Sequence, residues 1–398
     1  MPRAAWLQLA ACPAAAALLQ IDGTVITVAL PSVGHALGVG SHTLSWVLTL
    51  YFITYAIALF PGGRLVDAYG ARTIAFAGLG LFAAGAVAGA LAPSFGVLLV
   101  SRAVQGAGAG LVSPAALAGA VSGFPPERRG TALGIWGAGS GTANLAGPLL
   151  GGVLTVLLGW RANWWALVPL TLAATVAIWR LVPSAVHADE SPALGGLRQR
   201  VVAAATLVAT LTFLVMIGTF FLAQQYLQAV PGYSALGAAS TLIVVALMVA
   251  VAAPFAGRLA DLRGERWPAL LGFTLAAAGL AALGVPGVPL HGFVSLPLLL
   301  PVGLGLGLLF APASRAALNA VPQARHGRVS AVLSAGRLLG AAIGSGLAGL
   351  ALAHGVSDRH VHGALIGAAL ICVLVGLPAA AQLGRGARAA ERPSPAPV

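Results

Sequence analysis

Lysine is absent from this chain: all 21 of its basic residues are arginine, and only nine acidic residues stand against them. Charged residues make up 8% of the sequence, where soluble domains carry roughly 25%. So few charges cannot cover a soluble core of 398 residues, which excludes a soluble globular protein. The net charge of +12 and the pI near 11.4 would suit nucleic acid, but the arginines are scattered between apolar runs and do not share a face. A charge bias at one membrane surface accounts for them instead. The two cysteines, Cys12 and Cys372, both lie inside apolar runs, so neither a disulfide framework nor a metal knuckle is implied. No nucleophile, base and oxyanion arrangement and no Walker motif is discernible, which points away from an enzyme and leaves a gradient as the energy source. Gly106, Gly108 and Gly110, like Gly303, Gly305 and Gly307, do not follow a strand, so they are not nucleotide-binding glycines.

What the chain has in abundance is hydrocarbon: 59% of its residues are hydrophobic and the mean hydropathy is +0.95. Apolar windows long enough to cross about 30 Å of bilayer can be laid down twelve times, at 6–30, 43–62, 73–92, 96–119, 131–156, 162–182, 202–229, 235–256, 267–285, 292–313, 329–353 and 362–383. The first continues to Leu30, too far for a secretory signal, and reads as a transmembrane helix that also targets the protein. With the N-terminus inside, 17 arginines fall on the inner face, while Arg161 and Arg359 fall outside and Arg102 and Arg337 lie within spans. That asymmetry predicts a multi-pass plasma-membrane protein with both termini cytoplasmic.

The expected organisation is an all-α integral membrane protein of two six-helix bundles, at residues 1–182 and 201–383. A polar linker at 183–200 joins them, and a disordered tail follows at 384–398. Duplication supports the division: Gly63, Arg64, Leu65, Asp67, Gly70 and Arg72 recur as Gly257, Arg258, Leu259, Asp261, Gly264 and Arg266, 194 residues on. Both copies read as short charged turns between apolar runs. A second echo, at an offset of 197, sets Pro125, Arg128 and Gly130 against Pro322, Arg325 and Gly327. Repeats of this length in an apolar chain point to the two halves of a transporter.

The stretch GRLVDAYGAR resembles the signature loop of the major facilitator superfamily, although Val66, Ala68 and Ala71 replace residues that are usually alanine and two basics. The resemblance covers nearly the whole chain and is sharpest to the proton-coupled drug antiporters. Ile21 to Pro31 looks like the first-helix motif of the branch whose members usually have fourteen helices. Arg102, Gln105 and Gly106 are similar to R-x-x-Q-G of the fourth helix, and Tyr226 to Ser234 resembles the stretch that follows two extra central helices in fourteen-helix relatives. Gly147, Pro148, Gly151 and Gly152 match the fifth-helix antiporter motif, with Ala143 where glycine often stands. Too little chain lies between Trp160 and Tyr226 for the two extra helices, so twelve are expected. The resemblance implies that the fifth-helix motif helps to seal the pathway. It also implies a cytoplasmic gate formed by Gly63, Arg64, Asp67, Gly70, Arg72 and their repeats, in which Asp67 and the surrounding arginines pair and part as access alternates.

Asp22 lies within an apolar span, where an ionised carboxylate costs about 2.5–3.5 kcal/mol, so it must face protein or a water-filled cavity. At 1.5 Å per residue, Asp22 and Arg102 reach similar depths from opposite faces. They are therefore expected in one buried network that carries the coupling proton, since burial favours the neutral carboxyl and a neighbouring guanidinium favours the ionised one. The alternative is that Asp22 bonds nearby backbone and Arg102 only ties helices together. Gln105, Trp136, Asn144, Gln224 and Gln225 are candidates for a substrate cavity or for interhelical hydrogen bonds. Arg337 has no acidic partner in the spans of its half, and either neutralises an anionic substrate or bonds carbonyls at a helix end. His354, Asp358, His360 and His362 cluster on the expected last outer loop, which reads as solvated rather than metal-binding.

The reading that follows is a proton-coupled antiporter exporting hydrophobic or cationic small molecules by alternating access. Its partners are substrate, protons and the lipid bilayer, with no nucleic acid. It is expected to work as a monomer, without cofactor or metal. A symporter or facilitator for a polar metabolite is the alternative within transport, and a membrane-embedded sensor or enzyme the alternative outside it.

Overall fold

In hydrocarbon every backbone N–H and C=O must be satisfied inside the chain, which leaves long helices as the outcome for apolar runs of this length. The structure, a computed structural model, describes residues 3–122, 143, 147–182, 197–292, 295–321 and 326–383. Its helices are α1 (Arg3–Leu37), α2 (Ser41–Tyr69), α3 (Ala71–Ala90), α4 (Phe95–Ser122), α5 (described over Gly147–Leu158) and α6 (Ala162–Leu181). There follow α7 (Leu197–Ala229), α8 (Ala235–Arg263), α9 (Arg266–Leu283), α10 (Ser295–Asn319), α11 (His326–Ala351) and α12 (Asp358–Ile371). α12 runs on through a π-helical turn, Cys372–Gly376, into α13 (Leu377–Gln382). Among the described residues 11 spans are long and apolar enough to cross a membrane, and α5 adds a shorter apolar helix. The protein is an all-α, multi-pass membrane protein.

Several boundaries differ from expectation. The signature stretch is not a turn: α2 stays helical through Tyr69 and α8 through Arg263. In each copy the chain reverses on a single glycine, Gly70 at φ 82° and Gly264 at φ 81°, a backbone conformation only glycine adopts without strain. α7 begins at Leu197, so the last residues of the expected linker are helical. Asp358, His360 and His362 stand on α12 rather than on a loop. The rest of the linker, the tail, and the echo residues Pro125, Arg128, Gly130, Pro322 and Arg325 lie outside the described residues.

The duplication reaches beyond the signature into the packing. α4 crosses α2 on Gly106 and Gly110, which press on the backbone at Tyr51 and Tyr55. α10 crosses α8 on Gly303 and Gly307, which press on Val245 and Val249, so each contact recurs 197 residues on in one partner and 194 in the other. The α3–α4 crossing at Gly78 and Gly108 likewise returns between α9 and α10 at Gly272 and Gly305. Lipid tails are as apolar as leucine, so close backbone approach, rather than exclusion of water, holds such helices together. The glycine triplets of α4 and α10 serve this contact.

By contacts the chain divides into two compact units that do not follow the sequence halves. The first holds Met1–Asp189 with Ile217–Ile243 and Ala341–His360; the second holds Glu190–Met216, Val244–Gly340 and Val361–Val398. Within the first, the ends of α7, α8 and α11 remote from the signature glycines pack on α1 and α2. Gln228 Nε2 donates to the Val28 carbonyl at 3.1 Å, Ser41 Oγ donates to Gln225 Oε1 at 3.4 Å, and the Thr49 and Ser345 hydroxyls lie 2.8 Å apart. Val28, Ala235 and Ala239 form a small buried cluster in the same unit.

Candidate functional site

Asp22 enters the first unit from α1 and Arg102 from α4, and both are completely buried. One guanidinium nitrogen, Nη1, donates to both carboxylate oxygens at 2.9 and 3.0 Å and to Gln105 Oε1 at 2.7 Å. Nε donates to the Val47 carbonyl of α2 at 3.1 Å, and the guanidinium carbon lies 4.1 Å from the centre of the Tyr51 ring. The Tyr51 hydroxyl in turn donates to the Leu19 carbonyl of α1 at 3.2 Å. Arg102 is therefore held by α2 and by its own helix even without the carboxylate. α1 attaches to that cluster at two points, the Asp22 carboxylate and the Leu19 carbonyl.

The α5 motif lies against the same part of α1. A side chain at Gly147 would strike Thr24 and the Ile21 carbonyl, and one at Gly151 would strike the Val25 carbonyl. Gly152 faces the start of α8 at Ala235 and Leu236. With no side chain between them, α5 offers α1 a smooth surface within one turn of Asp22. Pro148 stands between the two glycines and removes one helix donor there.

Of the expected cavity residues, Gln105 belongs to the arginine network. Gln224 accepts from Gln228 at 3.1 Å and Gln225 from Ser41. The side-chain nitrogens of Gln105, Gln224 and Gln225 are buried and without a hydrogen-bond partner, so each keeps donors to offer. Trp136 and Asn144 lie outside the described residues. Tyr51 carries no mark in the sequence, where it is one aromatic in an apolar run.

At the signature ends Arg64, Arg258 and Arg266 are exposed, and Gly63 and Gly257 face open space. The guanidinium of Arg72 lies 3.9 Å over the ring of Trp179 on α6. In the second unit Glu265 accepts from Asn319 at 3.1 Å and lies 3.5 Å from Arg315 Nε, a pairing the sequence reading missed. The side chains of Asp67 and Asp261 lie outside those described.

Of the expected histidine cluster, His354 and His360 stay together, their ring centroids 6.3 Å apart, while the other members bond elsewhere. Asp358 accepts from the Tyr226 hydroxyl at 2.8 Å, His360 Nδ1 lies 2.8 Å from the Gly355 carbonyl, and His362 Nε2 lies 3.1 Å from the Val288 carbonyl. Among the described residues no three metal-ligating side chains come together.

A family model described as Major Facilitator Superfamily matches residues 14–345 and, in an overlapping second match, 242–398. The puromycin resistance protein pur8 of Streptomyces alboniger is 30% identical over 408 aligned residues, 86% of this chain and 80% of its own. The multidrug resistance protein Stp of Mycobacterium tuberculosis is 28% identical, over 84% of this chain and 74% of its own. An uncharacterized MFS-type transporter of the same species is 35% identical over 170 residues, a match that spans 29% of that protein's length. Among solved structures, a bacterial homologue of the human lysosomal transporter Spinster, in an inward-facing and occupied conformation, superposes with a TM-score of 0.77 at 19% identity over 98% of both chains.

Proposed function

The chain belongs to the major facilitator superfamily, and from that premise we propose that it is a proton-coupled antiporter exporting hydrophobic or cationic small molecules by alternating access. The observation that carries this reading is the buried pair of Asp22 and Arg102 at a helix junction. An intramembrane ion pair is costly and marks an ion pathway by default. The relatives named for puromycin and multidrug resistance support export of such compounds.

The proton acts by changing what holds α1. With Asp22 ionised, its carboxylate ties α1 to a guanidinium that α2 and α4 keep in place. Protonation removes the charge from one partner only, and Arg102 retains the Val47 carbonyl, Gln105 and the Tyr51 face. α1 then keeps only the Tyr51–Leu19 hydrogen bond to the cluster and is freer to shift along the glycine surface of α5, while substrate occupies a cavity to which Gln105, Gln224 and Gln225 offer spare donors. Alternating access is movement of the 1–182 and 201–383 halves about that cavity, with the signature residues latching the cytoplasmic face. The protein works as a monomer in the plasma membrane with both termini inside, and needs no cofactor besides the gradient.

The test is efflux of a panel of dyes and antibiotics from cells, with the proton gradient intact and collapsed, for wild type and Asp22→Asn. Wild-type export that stops on collapse and is lost in the variant supports the reading. Equal gradient-dependent export by both removes Asp22 as the proton carrier, and wild-type export indifferent to the gradient removes proton coupling.

A further inference from the structure

The two halves share their glycine contacts but not their charges. Gly147-Pro148-Leu149-Leu150-Gly151 on α5 has a counterpart in Gly336-Arg337-Leu338-Leu339-Gly340 on α11, 189 residues on. Gly147 and Gly151 press on the carbonyls of Ile21 and Val25 of α1; Gly336 and Gly340 press on those of Thr206 and Thr210 of α7. The register is the same, so Arg337 stands where the first half has Pro148. By the offsets of these packing contacts, Asp22, Tyr51, Arg102 and Gln105 correspond to Leu207, Val245, Leu299 and Val302. The second half has no copy of the buried pair and carries a cation at a new position.

Among the described residues that cation has no counter-charge. The spanning segments of α7 to α11 contain no acidic residue, and no described ion pair includes Arg337. Its one described hydrogen bond runs from Nη2 to the Ser314 hydroxyl of α10, at 2.7 Å. The guanidinium carbon lies 5.8 Å from the centre of the Phe213 ring on α7, which itself lies 5.6 Å from the Phe310 ring on α10. All four residues are partly exposed within the second unit. One hydroxyl and an aromatic face do not balance a full charge in a membrane span. The remaining donors form a planar fork that suits a carboxylate, sulfonate or phosphate oxygen pair, and the two phenylalanines offer a flat apolar wall beside it.

We propose that Arg337, Ser314, Phe213 and Phe310 form a recognition site for amphiphilic organic anions, a flat apolar ring lying on the phenylalanines and an acidic group on the arginine. As a statement about substrates this rests on the export reading and widens it: the substrate range extends to negatively charged hydrophobic molecules.

Two xanthene dyes of similar ring size separate charge from shape: fluorescein, an anion, and rhodamine 123, a cation. Binding of each to the purified full-length chain in detergent is followed by fluorescence anisotropy. Fluorescein is expected to bind wild type, to lose on the order of tenfold or more in affinity in Arg337→Gln, and to lose a smaller but measurable part in Arg337→Lys, which keeps the charge without the fork, while rhodamine 123 binding is unchanged or tightens. Ser314→Ala, which leaves the charge in place, is expected to change fluorescein affinity by only a few fold, and covers the case in which Arg337→Gln does not fold. With that variant lost, fluorescein binding that resists high salt and ignores both Arg337→Lys and Ser314→Ala overturns the proposal. So does absence of fluorescein binding to wild type, or an equal loss of both dyes in a folded Arg337→Gln. Gradient-driven movement of the two dyes in proteoliposomes tests the export reading separately: a protein that binds fluorescein through Arg337 but moves neither dye keeps the site and loses the antiporter.

Discussion

Arg102 reaches Asp22 through one nitrogen, Nη1, which serves both carboxylate oxygens at 2.9 and 3.0 Å with neither side chain exposed to solvent. The geometry is not a two-nitrogen fork. Nε is spent on Val47, and Nη2 is buried without a partner. The arginine is thus fixed by α2 and α4, and the carboxylate is the replaceable member.

Removing the fixed member should cost more than neutralising the replaceable one. Arg102→Ala leaves a buried carboxylate without its cation and should destabilise by about 3–5 kcal/mol. Asp22→Asn should cost less, because the amide oxygen still accepts from Nη1. Thermal unfolding of the detergent-solubilised variants measures the order, and the double change Asp22→Asn with Arg102→Gln should recover part of the loss. A single Asp22→Asn variant less stable than Arg102→Ala would refute the assignment of anchor and release.

The signature should respond unequally to alanine along its length. Gly70, at φ 82° and ψ 151°, occupies a region essentially restricted to glycine, so Gly70→Ala should cost about 1–3 kcal/mol. Gly63 lies in helix with nothing within 4 Å of an added Cβ, and Gly63→Ala should be neutral or stabilising by up to about 1 kcal/mol. Gly264→Ala and Gly257→Ala should repeat the contrast in the second copy. Yield of monodisperse protein and melting temperature are the readouts; equal damage at Gly63 and Gly70 would show a requirement beyond backbone conformation.

Gly151→Ala should push α5 off α1, because the added methyl meets the Val25 carbonyl. Overpacking of this kind costs about 1–3 kcal/mol. Export should fall more than stability, since the contact lies within a turn of Asp22. Unimpaired export in a folded Gly151→Ala protein would mean that α1 does not move against this surface.

Thr49 and Ser345, 296 positions apart in sequence, place their hydroxyls 2.8 Å apart. In a background with Cys12 and Cys372 replaced by serine, the Thr49→Cys and Ser345→Cys pair should form a disulfide on mild oxidation. Export should stop when the bond forms and return on reduction, read by gel mobility and dye efflux. A cross-linked protein that still transports would place this contact outside the moving parts.

The spans, the repeat and the candidate ion pair were legible in the sequence, while most contacts around them were not. Asp22 and Arg102 stood out because ionisable groups are rare in apolar spans and helical rise gave their depths. Tyr51 and the Val47 carbonyl carry no such mark. The glycines of α4 and α10 were visible as a pattern, yet their role appears only where Tyr51 and Val245 lie beneath them. Arg337 was identifiable as unpaired, but Ser314, Phe213 and Phe310 come from other helices and nothing in the sequence joins them to it.

The amino-acid sequence by itself determined that the chain is a duplicated bundle of membrane helices, because hydrocarbon demands that each apolar run satisfy its own backbone hydrogen bonds and so converts composition directly into helix. It marked the signature as a charged turn, and only the structure put the reversal on Gly70 and Gly264, where a tight reversal needs a positive φ. Which side chains meet was decided only by tertiary structure. Each residue turns about 100° around its helix, and neither that direction nor the identity of the neighbouring helix is written in composition. The small residues that let helices approach closely therefore brought Arg102 under Asp22 in one half and set Arg337 between α7 and α10 in the other.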